Sequence, residues 1–497
     1  MIQTAARRPL IESLRHAGPR IALGTAGVVI GAGLAALPLM WAVIGLAVIA
    51  LMTATVIYPL VGLSAALIFA TFKPLTDYFV PELPLDIGQL ALIATLGVWI
   101  AKRAIARDLR IPASPINVPL LVFIGIGAAS LLGALSAGYG LKELIKWGQI
   151  TAVMWLVQLE AGEKRWPIIV GVVLMAGMIQ AAIGIWQFGL RGDGPEHFLI
   201  LDDRFYRAYG TFEQPNPYGG FLGLILPLSA GLTLSSAVEW FNQMRVDADG
   251  KIAAGARTIG LGTITLLLGA GVIASWSRGA WLGAGAALLA VAAALPRKRL
   301  AGFGLLTLVV IIVFAGVQFR LLPASITARI TDFTSDVTTN FEVRGADITS
   351  ENYAVIERLA HWQAAQDMVR EHPLLGVGLG NYEPIYPVYR LLNWPYPLGH
   401  AHNIYLNMLA EVGIIGFLAY LVLWGTVFIT TLRASNSPDL WRRAAAIGLL
   451  GVWTHLSVHQ LVDNLYVANI HLHLGALLGV LAILSRWETH QPLERTT

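Results

Sequence analysis

Cysteine is absent from the 497 residues, and Asp, Glu, Lys and Arg together make up only 13% of them. The first absence excludes a disulfide framework, a thiol nucleophile and a cysteine-ligated metal. The second sets the chain apart from soluble domains, in which charged residues run near about 25%. Internal repeats are absent too, and so is low complexity beyond Ala-, Gly- and Leu-rich stretches. What remains is apolar: 56% of the residues are hydrophobic and the mean hydropathy is +0.65. Apolar runs close to the length that crosses a bilayer recur along most of the chain. They predict an all-α polytopic membrane protein of about 12–14 transmembrane helices with a long helical extracytoplasmic loop. The net charge of +4 calls for no nucleic-acid partner, because basic residues flanking spans are expected. The first 20 residues are basic, but the apolar region after them is too long for a cleaved signal peptide.

Spans are expected near 21–37, 40–56, 59–72, 86–101, 117–137, 142–160, 166–187, 218–237, 258–276, 279–296, 300–318, 411–432, 444–462 and 467–485. Residues 21–72 form one nearly continuous apolar stretch that holds either two full spans or three short ones. The chain divides into an N-terminal segment 1–20, an N-terminal bundle 21–187, core helices 188–318, a loop 319–400, C-terminal helices 401–487 and a tail 488–497.

Basic clusters orient these spans. They stand at Arg7, Arg8, Arg15 and Arg20; Lys102, Arg103, Arg107 and Arg110; Lys164 and Arg165; Arg245, Lys251 and Arg257; Arg297, Lys298 and Arg299; Arg433, Arg442 and Arg443; and Arg486 and Arg495. All fall on one side if the spans are real, and the positive-inside rule makes that side the cytoplasm. Parity favours three short helices between Arg20 and Lys73. Both termini are then cytoplasmic, and segments 188–217 and 319–400 face outward. The second is far longer than an ordinary connection, which points to function. It holds a helical pattern, "ENYAVIERLAHWQAAQDMVREH", with Tyr353, Ile356, Leu359, Ala360, Gln363 and Val369 on one face. "PLLGVGLGNY" breaks that pattern, and an aromatic- and Pro-rich run leads on to His400.

The outer ends carry cations where the charge rule expects few. Arg207 lies in "FYRAYGTFEQPNPYGGFLG" and Arg278 in "ASWSRGAWLGAG", a turn too short to be a domain. A guanidinium presents a planar fork suited to phosphate oxygens. A snorkelling anchor is the alternative reading of each. In "GHAHNIYLNMLAEVGIIG", His402 suits a general base, since imidazole titrates near neutrality and takes a proton from a hydroxyl. His400 is a second base candidate. Asn403 reads as the cap of the following helix. Glu411 either orients a histidine or makes a structural hydrogen bond.

Metal spacing is poor. His400 and His402 stand two apart, with no HExxH or CxxC nearby. His361 and His372 read as solvated. His455 and His459 have i, i+4 spacing with Asp463 a turn further, and read as a polar stripe inside the bundle. "GVGLGN" matches a phosphate-cradling loop only loosely.

Taken in order, "RAYGTFEQPNPYGGFLGLILPL", "SWSRGAWLGA", "RLAHWQAAQDMVREHPLLGVGLGNY" and "HAHNIYLNMLAEVGIIG" resemble the O-antigen ligase and polymerase family of bacterial membrane glycosyltransferases. The last piece fits the ligase pattern through His402, Asn403, Gly413 and Gly416. The matching pieces run from residue 207 to 416, and the first 190 residues add only membrane character. The resemblance implies an enzyme of the cytoplasmic membrane that works at the outer leaflet. Its donor would be a glycan on a polyprenyl (undecaprenyl-type) pyrophosphate, and its acceptor a glycan, lipid or protein hydroxyl. Transfer would need neither metal, nucleotide nor other cofactor. It implies Arg207 and Arg278 at the pyrophosphate and His402 as base, with Asn216, Arg358, His400, Asn403 and Glu411 as possible supporting residues. Tyr382, Tyr386, Tyr389, Trp394 and Tyr396 either stack on sugars or pack the loop. Ligase, repeat-unit polymerase and protein O-oligosaccharyltransferase stay open within the family. A transporter of lipid-linked glycan is the alternative outside it. Charges gathered at one face favour the enzyme, because transporters set theirs midway along broken helices.

Overall fold

In lipid every backbone N–H and C=O must be satisfied within its own segment, so the apolar runs fold as helices. A computed structural model describes residues 25, 27, 31–33, 36–72, 85–201, 203–246, 250–318, 343, 348–349 and 352–486. Among these residues the helices are α1 (Leu39–Ile57), α2 (Pro59–Phe69), α3 (Ile87–Ile105), α4 (Asn117–Ser130), α5 (Ala137–Leu156), α6 (Gly162–Gly189), α7 (Pro215–Val246) and α8 (Lys251–Ala274). They continue with α9 (Arg278–Ala294), α10 (Arg299–Gln318), α11 (Tyr353–Glu371), α12 (Tyr382–Tyr389), α13 (Ile404–Ala434), α14 (Leu440–His459) and α15 (Ile470–Leu484). A two-stranded antiparallel ribbon pairs Leu199–Ile200 with Phe205–Tyr206.

The chain is therefore an all-α polytopic membrane protein. Among the described residues six helical runs are long and apolar enough to cross a membrane: Leu39–Ile57, Ile87–Ile105, Ala137–Gly189, Pro215–Arg245, Lys251–Ala274 and Ile404–Ala434. α2, α4, α9 and α15 are shorter apolar helices. The third run is two helices: a π-helical turn at Val157–Ala161 and Gly162, at φ 53°, reverse the chain between α5 and α6. Most of the span expected near 21–37, both terminal segments and most of 319–351 lie outside the described residues.

α15 is buried along its whole length against α5 and α6. α7 packs on α8, α9 and α14. Close approach there needs small residues, as membrane helices use in place of a hydrophobic driving force. A Cβ built on Gly231 would stand 3.0 Å from the backbone nitrogen of Gly448.

Hydrogen bonds gather basic residues from several of the clusters at one end of the bundle. Lys102 Nζ donates to Val56 O and Ile57 O at 2.8 and 3.0 Å. Arg442 pairs with Glu163 at 2.9 Å and donates to Ile483 O at 3.0 Å. Arg486 reaches Gln158, and Arg443 reaches Ala294 O and Leu295 O.

α13 is not straight. Ile404 N donates to Gln460 O at 3.0 Å, and the Tyr420 hydroxyl donates to Gln460 Oε1 at 3.3 Å. A continuous helix would separate residues 404 and 420 by about 24 Å. The bend is at Gly413, whose φ of 62° and ψ of −172° are non-helical. Leu374 and neighbouring backbone atoms would lie within 2.5 Å of a Cβ there, so glycine is required. Ile404–Val412 thus crosses the end of the bundle, and the remainder of α13 descends beside α14.

α11 follows the expected pattern with its buried face rotated. Ile356, Leu359, Ala360, Ala364 and Met368 are buried, whereas Tyr353 is about half exposed. The rotation brings Ala364, Ala365 and Met368 onto Tyr382 and Tyr386 of α12.

Candidate active site

His402 stands just before α13, at φ 50°, in the left-handed region that non-glycine residues seldom adopt. The next residue, Asn403, caps α13 as expected, its side chain accepting from Tyr405 N and Leu406 N at 3.0 and 3.1 Å. The cap fixes where the helix starts and so where His402 points. Neither ring nitrogen of His402 has a hydrogen-bond partner among the described residues, although both are buried. Its closest charged neighbour is Asp463, with Nδ1 3.7 Å from Oδ1.

Asp463 lies between α14 and α15 and gathers three imidazoles. His400 Nε2 is 3.9 Å from Oδ1, and His459 Nε2 is 4.0 Å from Oδ2. Burial alone would raise the Asp463 carboxyl. The surrounding His402, His400 and His459 outweigh that and hold it below the usual carboxylate range. Burial, with His402 beside it, pushes the His400 imidazole down to about 3, so this ring is neutral at physiological pH.

The three groups His400, His402 and Asp463 have ligand atoms within 4.8 Å of one another, a spacing that invites a divalent cation. The tautomer argues otherwise. His400 Nδ1 accepts the His402 backbone N–H at 3.0 Å, which leaves the ring proton on Nε2, the atom that faces Asp463. The trio therefore suits proton transfer better than metal ligation.

The sequence reading set His361 in solvent, and the structure corrects this. His361 is only 1% exposed, its Nδ1 lies 2.8 Å from the Tyr382 hydroxyl, and its ring stacks on Tyr386. It also sits edge-on to His402, with 5.8 Å between centroids. Burial and the His402 ring lower it to about 4.

The arginines occupy the neighbouring corner. Arg207 N donates to Phe198 O and Ala208 N to Ala274 O, which ties the 205–208 stretch to the end of α8. The Arg207 guanidinium donates from Nε to Ser275 O at 3.0 Å and from Nη2 to Asn216 Oδ1 at 3.2 Å. Asn216 is thus a hydrogen-bond partner of Arg207. Arg278 follows the cap Ser277 as the first residue of α9. Both arginines therefore flank the turn 275–278. The next residue, Gly279, packs on the His459 ring: a Cβ there would meet Cε1 at 3.6 Å. His459 then leads through Asp463 to His402. Arg358, from α11, lies within electrostatic reach of His459, and Lys146 within reach of His400.

Glu411 does not orient a histidine. Its carboxylate accepts from Gly380 N at 2.9 Å and Tyr382 N at 3.2 Å. "GVGLGN" wraps the Gly413 bend instead of cradling a phosphate: Val377 N and Gly378 N donate to Ala410 O and Glu411 O. Tyr382, Tyr386 and Trp394 are buried as packing residues, whereas Tyr396 is exposed. Asp463, His361 and Lys146 are the additions that sequence reasoning missed. The i, i+4, i+8 spacing of His455, His459 and Asp463 was the available signal for the first.

Fold and site together define a polytopic helical membrane protein whose titratable side chains and phosphate-suited cations collect at one end. Residues 263–421 match the family model described as O-antigen ligase, so the family resemblance holds and carries the general character of a ligase-like membrane glycosyltransferase. No curated protein gives a match to the chain.

Proposed function

We propose that this protein transfers a glycan from a polyprenyl-pyrophosphate donor to an acceptor hydroxyl at the extracytoplasmic face of the bacterial cytoplasmic membrane, with both termini cytoplasmic. The observation that carries this reading is the continuous line from Arg207 and Arg278 through His459 and Asp463 to His402. Two cations bracket one turn at a helix N-terminus, where backbone N–H groups and the dipole favour an anion. The pyrophosphate binds there. His402 presents Nδ1 to Asp463 and takes the acceptor proton on Nε2. The acceptor oxygen attacks the anomeric carbon on the face opposite the pyrophosphate. The anomeric C–O bond breaks with its electron pair leaving on the pyrophosphate, and the arginines stabilise that developing charge. The proton ends on His402, and ionised Asp463 stabilises the imidazolium. No metal takes part in the step.

Purified protein in lipid nanodiscs, incubated with a lipid-linked glycan and separate lipid, glycan and peptide acceptors, tests the reading. Attachment of the intact glycan to a lipid acceptor supports a ligase. Chain extension marks a polymerase, and glycosylated peptide a protein transferase. Donor translocation across vesicles without transfer to any acceptor would overturn the enzyme. Orientation is tested separately by single cysteines, since the chain has none. An impermeant reagent should label one at Ser335 in intact cells and spare one at Ser13.

A further inference from the structure

The far end of the bundle holds a cavity that the transfer reaction does not use. α5 starts beside the site segment, where Ser136 N and O bond the Asn381 side chain at 2.7 and 3.1 Å. Its helical rise carries the chain about 30 Å away from that point. There, Tyr58, α2, the π-helical turn and α6 surround about 320 Å³ lined by Tyr58, Val61, Ser64, Glu160, Arg165 and Ile168, among others. That volume suits a small polar headgroup.

The lining has an unusual make-up. Tyr58, Val61 and Ile168 are exposed on an apolar helical surface of the kind that faces lipid. Glu160 sits in the π-helical turn Val157–Ala161, a distortion that recurs at functional sites. A carboxylate at such a boundary is costly without a partner. One oxygen accepts the Trp99 indole N–H at 3.0 Å, which leaves the other for a ligand. Arg165 lines the same space, is exposed, and makes no ion pair with Glu160 among the described residues. The cavity thus offers one anion, one cation and hydroxyls beside an apolar wall.

We infer that this cavity binds the headgroup of an amine-bearing zwitterionic phospholipid of the phosphatidylethanolamine type. Arg165 takes the phosphate, Glu160 takes the primary ammonium, and the acyl chains lie along Val61 and Ile168. A primary ammonium gives a carboxylate N–H donors that a quaternary choline lacks. A glycerol headgroup brings no cation and leaves Glu160 unpaired. The inference is independent of the transfer mechanism and of which membrane side this end faces.

The test is native mass spectrometry of the full-length protein equilibrated with equimolar phosphatidylethanolamine, phosphatidylglycerol and phosphatidylcholine. Wild type should retain one phosphatidylethanolamine about tenfold over either competitor, the scale of one charge-assisted hydrogen bond. Glu160→Gln, which can still accept the Trp99 N–H, should remove that preference. Arg165→Gln, at an exposed position, should lower retention of all three lipids. Arg297→Gln, which does not line the cavity, should change nothing. Equal retention of the three lipids by wild type, or an unaltered preference in Glu160→Gln, would overturn the assignment.

Discussion

One helix, α9, meets an arginine at each end, and the two stand against opposite ends of its dipole. At its C-terminus Arg443 Nη2 donates to Ala294 O and Leu295 O at 3.1 and 2.8 Å. Those carbonyls lack intrahelical partners and carry the negative end of the dipole, so the cation is favoured twice over. Arg442 and Lys102 do the same for the ends of α15 and α1. At the N-terminus Arg278 joins a positive dipole end, where a cation is disfavoured and an anion is welcome. Arg443 thus satisfies helix-end carbonyls, and Arg207 does the same at the end of α8 through Ser275 O, whereas Arg278 stands against the dipole of its own helix.

The comparison breaks or sharpens through substitutions. His402→Ala should have the largest effect, a fall of ~10²–10⁴ in transfer. Donor binding, measured separately, should persist; joint loss would make His402 a pyrophosphate ligand. Arg278→Ala should cost more than about tenfold in transfer, with Arg278→Lys intermediate because it keeps charge without the fork. Activity within about twofold of wild type would return Arg278 to the role of interfacial anchor. Asp463→Asn should slow transfer by about tenfold, since it keeps the shape but removes the charge that stabilises the imidazolium. Arg443→Ala should behave oppositely to Arg278→Ala. Thermal stability should drop by ~1–3 kcal/mol as two carbonyls lose their donor, while transfer per folded molecule stays at wild-type level.

The smallest effect concerns pH. His361 is held neutral, at about 4, by burial. The unfolded chain therefore binds more protons than the folded one between the ordinary imidazole value and about 4. Stability contributed by His361 is full above the ordinary value and declines as pH falls through this window. Melting temperature should drop from pH 7 to pH 5, and the slope should flatten in His361→Gln. Asp463 is depressed, so its own contribution is lost only below the usual carboxylate range and adds no slope there.

Much of the fold was legible because lipid enforces a simple rule: apolar runs of sufficient length become helices. Arg207, Arg278 and His402 stood out in the sequence because each breaks a local expectation of charge or polarity, and their roles are part of the proposal. His361 was not, since an amphipathic-looking helix with several charges does not announce which face packs. Asp463 was read with its helix as one polar stripe, because nothing local shows that α13 folds back to set His402 beside it. The two readings of Glu411, a histidine partner or a structural hydrogen bond, stayed open in the sequence for a related reason, and the second is the one observed. Its partners, Gly380 and Tyr382, belong to a loop thirty residues earlier that fills a bend no periodicity reveals.

That bend has a mechanical consequence. The short piece Ile404–Val412 is sutured by backbone hydrogen bonds from Val377 and Gly378 and by the Glu411 carboxylate to the 353–400 segment. Its start is held to the end of α14 as well, where Ile404 N donates to Gln460 O and the Tyr405 hydroxyl to Ser457 O. His402 thus sits at a joint clamped from two sides, its backbone set by the 353–400 segment and by α14 together. The spanning part of α13 is stitched to the same loop, since Ile414 N and Ile415 N donate to Pro373 O and Leu374 O, so a strain on residues 373–380 is felt on both sides of the bend.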